Sequence, residues 1–231
     1  MSENLHKEHR NRVRKEFLAN GFDIDTPPHK ILEMLLFYAI PRKDTNELAH
    51  ILIKEFGSLS GVLDATPAQL MKIKGMGESG VALIKLISPI LRVYLAEKKK
   101  IKKFNNFDEL GEFVHARHFA YNKEVFCITS LNAAGNIIAF DKICEGDIAV
   151  VGVPLRDVLE TVISRKASAV IISHNHPTGS AVPSTKDLEA TKMVAKALSS
   201  IGVKLLDHII AVPDDYVSLA QSKQFIHYLE S

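Results

Sequence analysis

The chain has 231 residues, 46% hydrophobic and 24% charged, with a formal net charge of +2, two cysteines and no tryptophan. This is enough apolar residue for one large or two small cores, and it excludes collagen-like, disordered and disulfide-stapled classes. A polar amino terminus, no apolar run approaching the roughly 20 residues of a bilayer span, and cysteines suited to a reducing compartment lead us to expect a cytoplasmic protein without a membrane partner.

In chain order, the first part reads as all helical. His9 to Asn20 is a basic amphipathic helix ended by Gly21, Pro28 to Ala39 is an apolar helix stopped before Pro41, and Thr45 to Phe56 is a third with Gly57 as its stop. Thr66-Pro67 opens a further helix with N-cap and N1 chemistry. The stretch Leu70-Met71-Lys72-Ile73-Lys74-Gly75-Met76-Gly77 then leads into a helix from Ser79 to Leu95, a junction that resembles a helix-hairpin-helix. In that motif, backbone N–H groups at a helix start cradle a DNA phosphate without reading sequence. Arg10, Arg12, Arg14, Lys72, Lys74 and Lys85 would supply a phosphate-tracking face, or serve only as solvated surface.

Charge marks a boundary. Residues 1–103 carry 18 Lys+Arg against 12 Asp+Glu, whereas residues 104–231 carry 11 against 15. The basic run Glu97-Lys98-Lys99-Lys100-Ile101-Lys102-Lys103 falls between them, which predicts domains at 1–100 and 104–231. The second part alternates: a helix from Phe107 to Phe119, strands Val125 to Leu131 and Ile137 to Cys144 joined by a hairpin loop, a helix from Leu155 to Arg165, a strand Ala169 to Ser173, a helix beginning near Asp187, a strand region Val203 to Val212, and a final strand and helix within Tyr216 to Tyr228. The overall expectation is an α+β protein, all-helical first and mixed-sheet second.

The 14 residues His174 to Asp187 carry the chemistry. On an extended chain, side chains two apart share a face, so His174 and His176 can converge on one ion while Asn175 points away. Ser184 and Asp187 read as a capping box at the start of the next helix, the bland alternative to a ligand role. If the strand end and the helix start are neighbours, His174, His176 and Asp187 supply three ligands and leave the fourth position of a tetrahedral zinc open to water. With 10 His, a His-x-His pair alone is expected about 0.4 times by chance, but adding Ser and Asp at fixed positions lowers this to the order of 0.001.

His174-x-His176, seven residues, Ser184, two residues, Asp187 resembles the JAMM motif of JAB/MPN metallohydrolases. The words Ser173-His174-Asn175-His176-Pro177, Pro183-Ser184 and Leu206-Asp207-His208-Ile209-Ile210 resemble its RadC branch, across nearly the whole chain. The resemblance implies a JAB/MPN (cytidine deaminase-like) α/β/α domain, Zn2+ held by His174, His176 and Asp187, and Ser184 assisting the metal-bound water or the oxyanion. It also implies an upstream glutamate as general base, for which Glu124 at a strand start is the candidate and Glu145 the rival. Glu145 lies in Glu145-Gly146-Asp147, a departure from the Ser-Gly-Thr common in RadC relatives. Arg156 matches a RadC position and is read as structural. Asp207 and His208 are read as buried and hydrogen-bonded, outside the ligand set, and His6/His9 and His115/His118 as surface pairs. His-Glu-x-x-His and Cys-x-x-Cys are both absent.

The function expected is a zinc metallohydrolase acting on a peptide or isopeptide bond of an unknown protein or peptide substrate, with non-sequence-specific DNA as a further partner through the first domain. The resemblance also carries the DNA-repair label of RadC proteins. Two alternatives belong to other classes: a DNA-repair accessory protein with a non-catalytic metal site, and a metal-dependent nuclease, the latter disfavoured by the lack of a second carboxylate cluster.

Overall fold

The computed structural model describes residues 2–41, 43–98, 101–119, 121–146, 152–177 and 179–229, and side chains from residue 8 onward. Lys99, Lys100, Asp147, Thr178 and the His6 side chain, all invoked in the sequence reading, lie outside the described residues. Two compact units divide at Ile90/Leu91, and each has its own core.

The first unit contains α1 (Ser2–Asn20), α2 (Pro28–Ala39), α3 (Asn46–Phe56), α4 (Leu59–Asp64), α5 (Pro67–Met71) and the start of α6 (Glu78–Lys98). Leu32, Leu36, Leu52, Val62, Leu70 and Ile84 are wholly buried at its centre. Thr66 and Gln69 form the capping box that starts α5. Helix α4 has no counterpart in the sequence reading, because six residues are too few for apolar periodicity to register; Ser58 caps it by accepting from Gly61 N at 3.0 Å. In the turn before α6, Gly75 sits at φ +97°, a conformation that side chains with a Cβ rarely adopt.

Two of the six basic residues expected on a phosphate-tracking face are turned inward instead. Arg10 donates to the carbonyls of Phe37, Ile40 and Lys43, satisfying and charge-complementing the end of α2. Lys85 donates to Leu63 O at 2.6 Å and Ala65 O at 3.0 Å, doing the same for α4. Lys72 and Lys74 are exposed. His9, read as a surface residue, donates to the buried Glu33 carboxylate at 2.6 Å, and Asn46 bonds its other oxygen at 3.0 Å.

The expectation of no bilayer-length apolar segment needs correcting. Helix α6 is 21 residues long with a mean hydropathy of 1.5 over its best 18-residue window, which meets the length and composition of a span. Length and composition alone do not make it one, since a core helix passes the same test, and Gly80, Val81 and Ile84 at its start are buried in the first unit.

In the second unit, a five-stranded sheet runs in the order β2-β1-β3-β4-β5, with β1 (Val125–Leu131), β2 (Ile137–Glu145), β3 (Ala169–Asn175), β4 (Lys204–Ala211) and β5 (Tyr216–Ser218). Only β3 and β4 are parallel, joined by the crossover helix α9 (Thr185–Ser199); the remaining pairs are antiparallel. Strand alternation sends Leu131, Ile171 and Ile209 to a face covered by α7 (Phe107–His118), and Phe126, Ile128, Val170 and Ile172 to a face covered by α8 (Leu155–Ser164) and α9. This is the expected α/β/α mixed sheet. Helix α7 lies close to β5: a Cβ on Gly111 would stand 2.1 Å from the Tyr216 ring.

The His115/His118 pair is not a surface feature either. His115 Nε2 donates to Val212 O at 2.9 Å, and His118 is 3% exposed, its Nε2 2.9 Å from Ser173 Oγ on the sheet. Helical spacing placed both rings on one face correctly, but that face is the one packed on the strands. Burial lowers the His118 imidazole to about 3 from an ordinary value of 6.5. The unfolded chain therefore binds this proton first as pH falls, so native stability is expected to decline from pH 6.5 towards about 3. His118→Gln should remove that component of the decline, measured by urea unfolding at stepped pH.

Candidate metal centre

The site forms where β3 ends and α9 begins, at the carboxyl end of the parallel strand pair, the position at which α/β crossovers leave a crevice. His174 is a strand residue and 1% exposed; His176 follows β3, tied by its N–H to Ala211 O at 2.8 Å. Asn175 between them points the other way, as alternation requires. Its Oδ1 accepts from Val125 N at 2.9 Å and its Nδ2 donates to Lys123 O at 2.9 Å, fastening β3 to the start of β1.

Asp187 reaches the same place from α9, and its two oxygens are divided. Oδ2 accepts from Ser184 N at 2.8 Å and from Ser184 Oγ at 2.7 Å, while Ser184 Oγ accepts from Asp187 N at 3.2 Å. The capping box is therefore present. Oδ1 is turned to His174, 3.3 Å from its Nε2, while Oδ2 stands 3.7 Å from His176 Nε2. Cap and ligand are thus compatible readings of one side chain. His174, His176 and Asp187 each offer an atom within 4.8 Å of the others, the grouping the sequence spacing anticipated.

Hydrogen bonds decide which ring nitrogens face inward. His176 Nδ1 lies 2.8 Å from Ser180 O, a pure acceptor, so Nδ1 carries the proton and Nε2 a lone pair. For His174 the chain of reasoning is longer. Thr191 Oγ1 donates to Asp187 O at 2.6 Å, so it accepts from His208 Nδ1–H at 2.6 Å. His208 Nε2 then accepts from His174 Nδ1–H at 2.8 Å, so in the neutral ring of His174 the lone pair lies on Nε2. Complete burial holds His208 neutral, consistent with this relay. Both Nε2 lone pairs consequently face each other at 3.0 Å beside a carboxylate. Burial alone would raise the Asp187 carboxyl, but the two hydrogen bonds that Oδ2 accepts from Ser184 favour its ionised form. Two lone pairs and an anion in a buried pocket repel one another without a cation among them.

The relay through Thr191 was not visible in the sequence. His208 was, as part of Leu206-Asp207-His208, but nothing local indicated that its ring would orient His174. Asp207 is a structural group: it accepts from His208 N, Ala220 N and Ser218 Oγ, and burial raises its carboxyl to about 6.

The two glutamates fall on different faces. The β1–β3 ladder pairs Phe126 with His174, and that register, carried two residues past the ladder to the residue just before β1, sets Glu124 opposite His176 on the same face. Glu145 pairs with Val125, on the opposite side of the strand, and is held by Lys142 at 2.5 Å and Lys123 at 3.1 Å. Those lysines lower its carboxyl below the usual range. Arg156 is exposed on α8 and pairs with Glu160 at 2.7 Å.

A RadC-like JAB domain profile matches residues 104–224. A UPF0758 protein of Fusobacterium nucleatum subsp. nucleatum is 32% identical over 229 residues, covering 96% of this chain and 98% of that protein. UPF0758 proteins of Ruegeria pomeroyi and Rhodobacter capsulatus are each 31% identical, over 205 and 200 residues, covering 88% and 86% of this chain and 91% and 92% of theirs. The chain belongs to the RadC family, and its second half is a RadC-like JAB domain.

Proposed function

We propose that the chain is a zinc-dependent hydrolase of peptide or isopeptide bonds. The observation that carries this reading is the pair of inward imidazole lone pairs at 3.0 Å with Asp187 Oδ1 at 3.3 Å from one of them. A tetrahedral zinc with arms of about 2.0–2.1 Å sets its donors roughly 3.3–3.4 Å apart, close to these spacings, and two imidazoles with one carboxylate are a donor set zinc accepts. Three protein ligands rather than four is the pattern of catalytic sites.

Zinc held by His174, His176 and Asp187 would supply Lewis acidity, lowering the pKa of water and polarising a carbonyl. The protein's part is then proton transfer and positioning. Glu124, on the ligand face in register with His176, is suited to take a proton from attacking water and return it to the leaving amine. Ser184 holds Asp187 through three hydrogen bonds; donating to an oxyanion would require its hydroxyl to rotate away from Oδ2. His208 and Thr191 keep His174 in the ligating tautomer.

Purified wild type is expected to hold about one zinc per chain, and His176→Ala, at a partly exposed position, far less; elemental analysis of both reads this, and equal zinc in the two would end the proposal. Glu124→Gln should retain the metal while slowing cleavage of an isopeptide-linked test substrate by about 10²–10⁴-fold. Thr191→Val removes the hydroxyl of the relay and should weaken zinc affinity by about 10–100-fold, with Thr191→Ser restoring it in a competitive chelator titration.

A further inference from the structure

On the α7 face of the sheet, away from His174, a cleft of about 470 Å³ opens between α7 and the edge strand β2. Ile101, Phe113, Ile138 and Phe140 give it apolar walls, with Arg117 and Lys102 as its cations. The Arg117 guanidinium lies 3.4 Å over the Phe113 ring and 5.6 Å from Phe140, and its one hydrogen bond among the described residues goes to Phe113 O at 3.1 Å, within its own helix. Among the described residues it has no ion pair, and burial unopposed by any carboxylate lowers it to about 10. The neighbouring acid on β2, Asp141, is engaged on the other side by both Nε and Nη2 of Arg165. A half-buried cation without a counter-charge favours an anionic occupant.

The wall beside Arg117 is also an unfinished sheet edge. β2 is the outermost strand, and among the described residues its free side is covered only at the start, where Phe104 N donates to Gly135 O and Ile137 N to Lys102 O. Further along, Asp141, Lys142 and Glu145 give the strand the charges that discourage pairing with other chains. Between these two protected stretches lie Ile138, Ala139 and Phe140, apolar and lining the cleft, with Ile138 skipped by the β1 register. Backbone groups at the edge and a cation beneath it are the two elements of strand-addition recognition.

We propose that this edge binds an extended acidic segment of a partner protein, which adds as a strand beside Ile138–Phe140 and sets a Glu or Asp carboxylate on Arg117. The site is separate from the metal centre and independent of its chemistry.

The test uses the full chain and a fluorescein-labelled heptapeptide of alternating Val and Glu, read by anisotropy, with wild-type amide shifts mapped by NMR. Binding should perturb residues 136–140, should fall at least tenfold when Gln replaces Glu in the peptide, and should fall by a similar factor in Arg117→Gln while Arg117→Lys retains most of it. Thermal melts of both variants confirm that they fold. N-methylation of alternate peptide residues should also abolish binding. Equal binding of the Glu and Gln peptides, unchanged binding in Arg117→Gln, or no binding at all would overturn the proposal. Tight binding of N-acetylglutamate alone would overturn it in favour of a small-carboxylate pocket. Concentration-dependent dimerisation lost in Arg117→Gln would overturn it in favour of a second copy of the chain.

Discussion

Two neutral imidazoles cannot share a buried space lone pair to lone pair unless something positive stands between them. In this chain the arrangement is imposed from outside the pocket: a carbonyl of Ser180 takes the outer proton of one ring, and a relay from the helix α9 backbone through Thr191 and His208 takes that of the other. The inner nitrogens are left basic, beside an ionised carboxylate. Much of the architecture of the second unit serves this constraint, since the parallel β3–β4 pair is what brings the His208 ring alongside that of His174.

The same economy appears in how the acid is held. A helix start needs its first N–H groups satisfied, and the capping box does so with one carboxylate oxygen. The other oxygen is left pointing out of the helix axis towards the strand end. A cap of this kind contributes on the order of 1 kcal/mol, too little to explain burying an ionised group, whereas the facing imidazoles give the burial a purpose.

What could be read from the sequence was what is decided within a turn or a strand. His174 and His176 share a face because strands alternate; Ser184 and Asp187 meet because a capping box spans three residues; the sheet and its covering helices follow from the switch between the two periods. What could not be read depends on contacts across long separations. The inward turning of Arg10 and Lys85 is decided by carbonyls more than 20 residues away, and nothing in a basic amphipathic pattern distinguishes a clamp from a solvated face. His118 was placed on the right side of its helix, but whether that side meets water or the sheet is decided by tertiary packing. The Thr191–His208–His174 relay joins three segments, none of which carries a local signal for the others.

Asn175 shows how much a residue without reactivity can govern. Interposed between His174 and His176 and facing away from both, it grips the backbone on either side of Glu124, at Lys123 O and Val125 N. The strand that carries His174 and the segment that carries Glu124 are thereby clasped together. The separation of Glu124 from the imidazoles is therefore governed by an amide on the reverse of the sheet, and under the proposed mechanism altering that amide would detune the centre while removing none of the groups it uses.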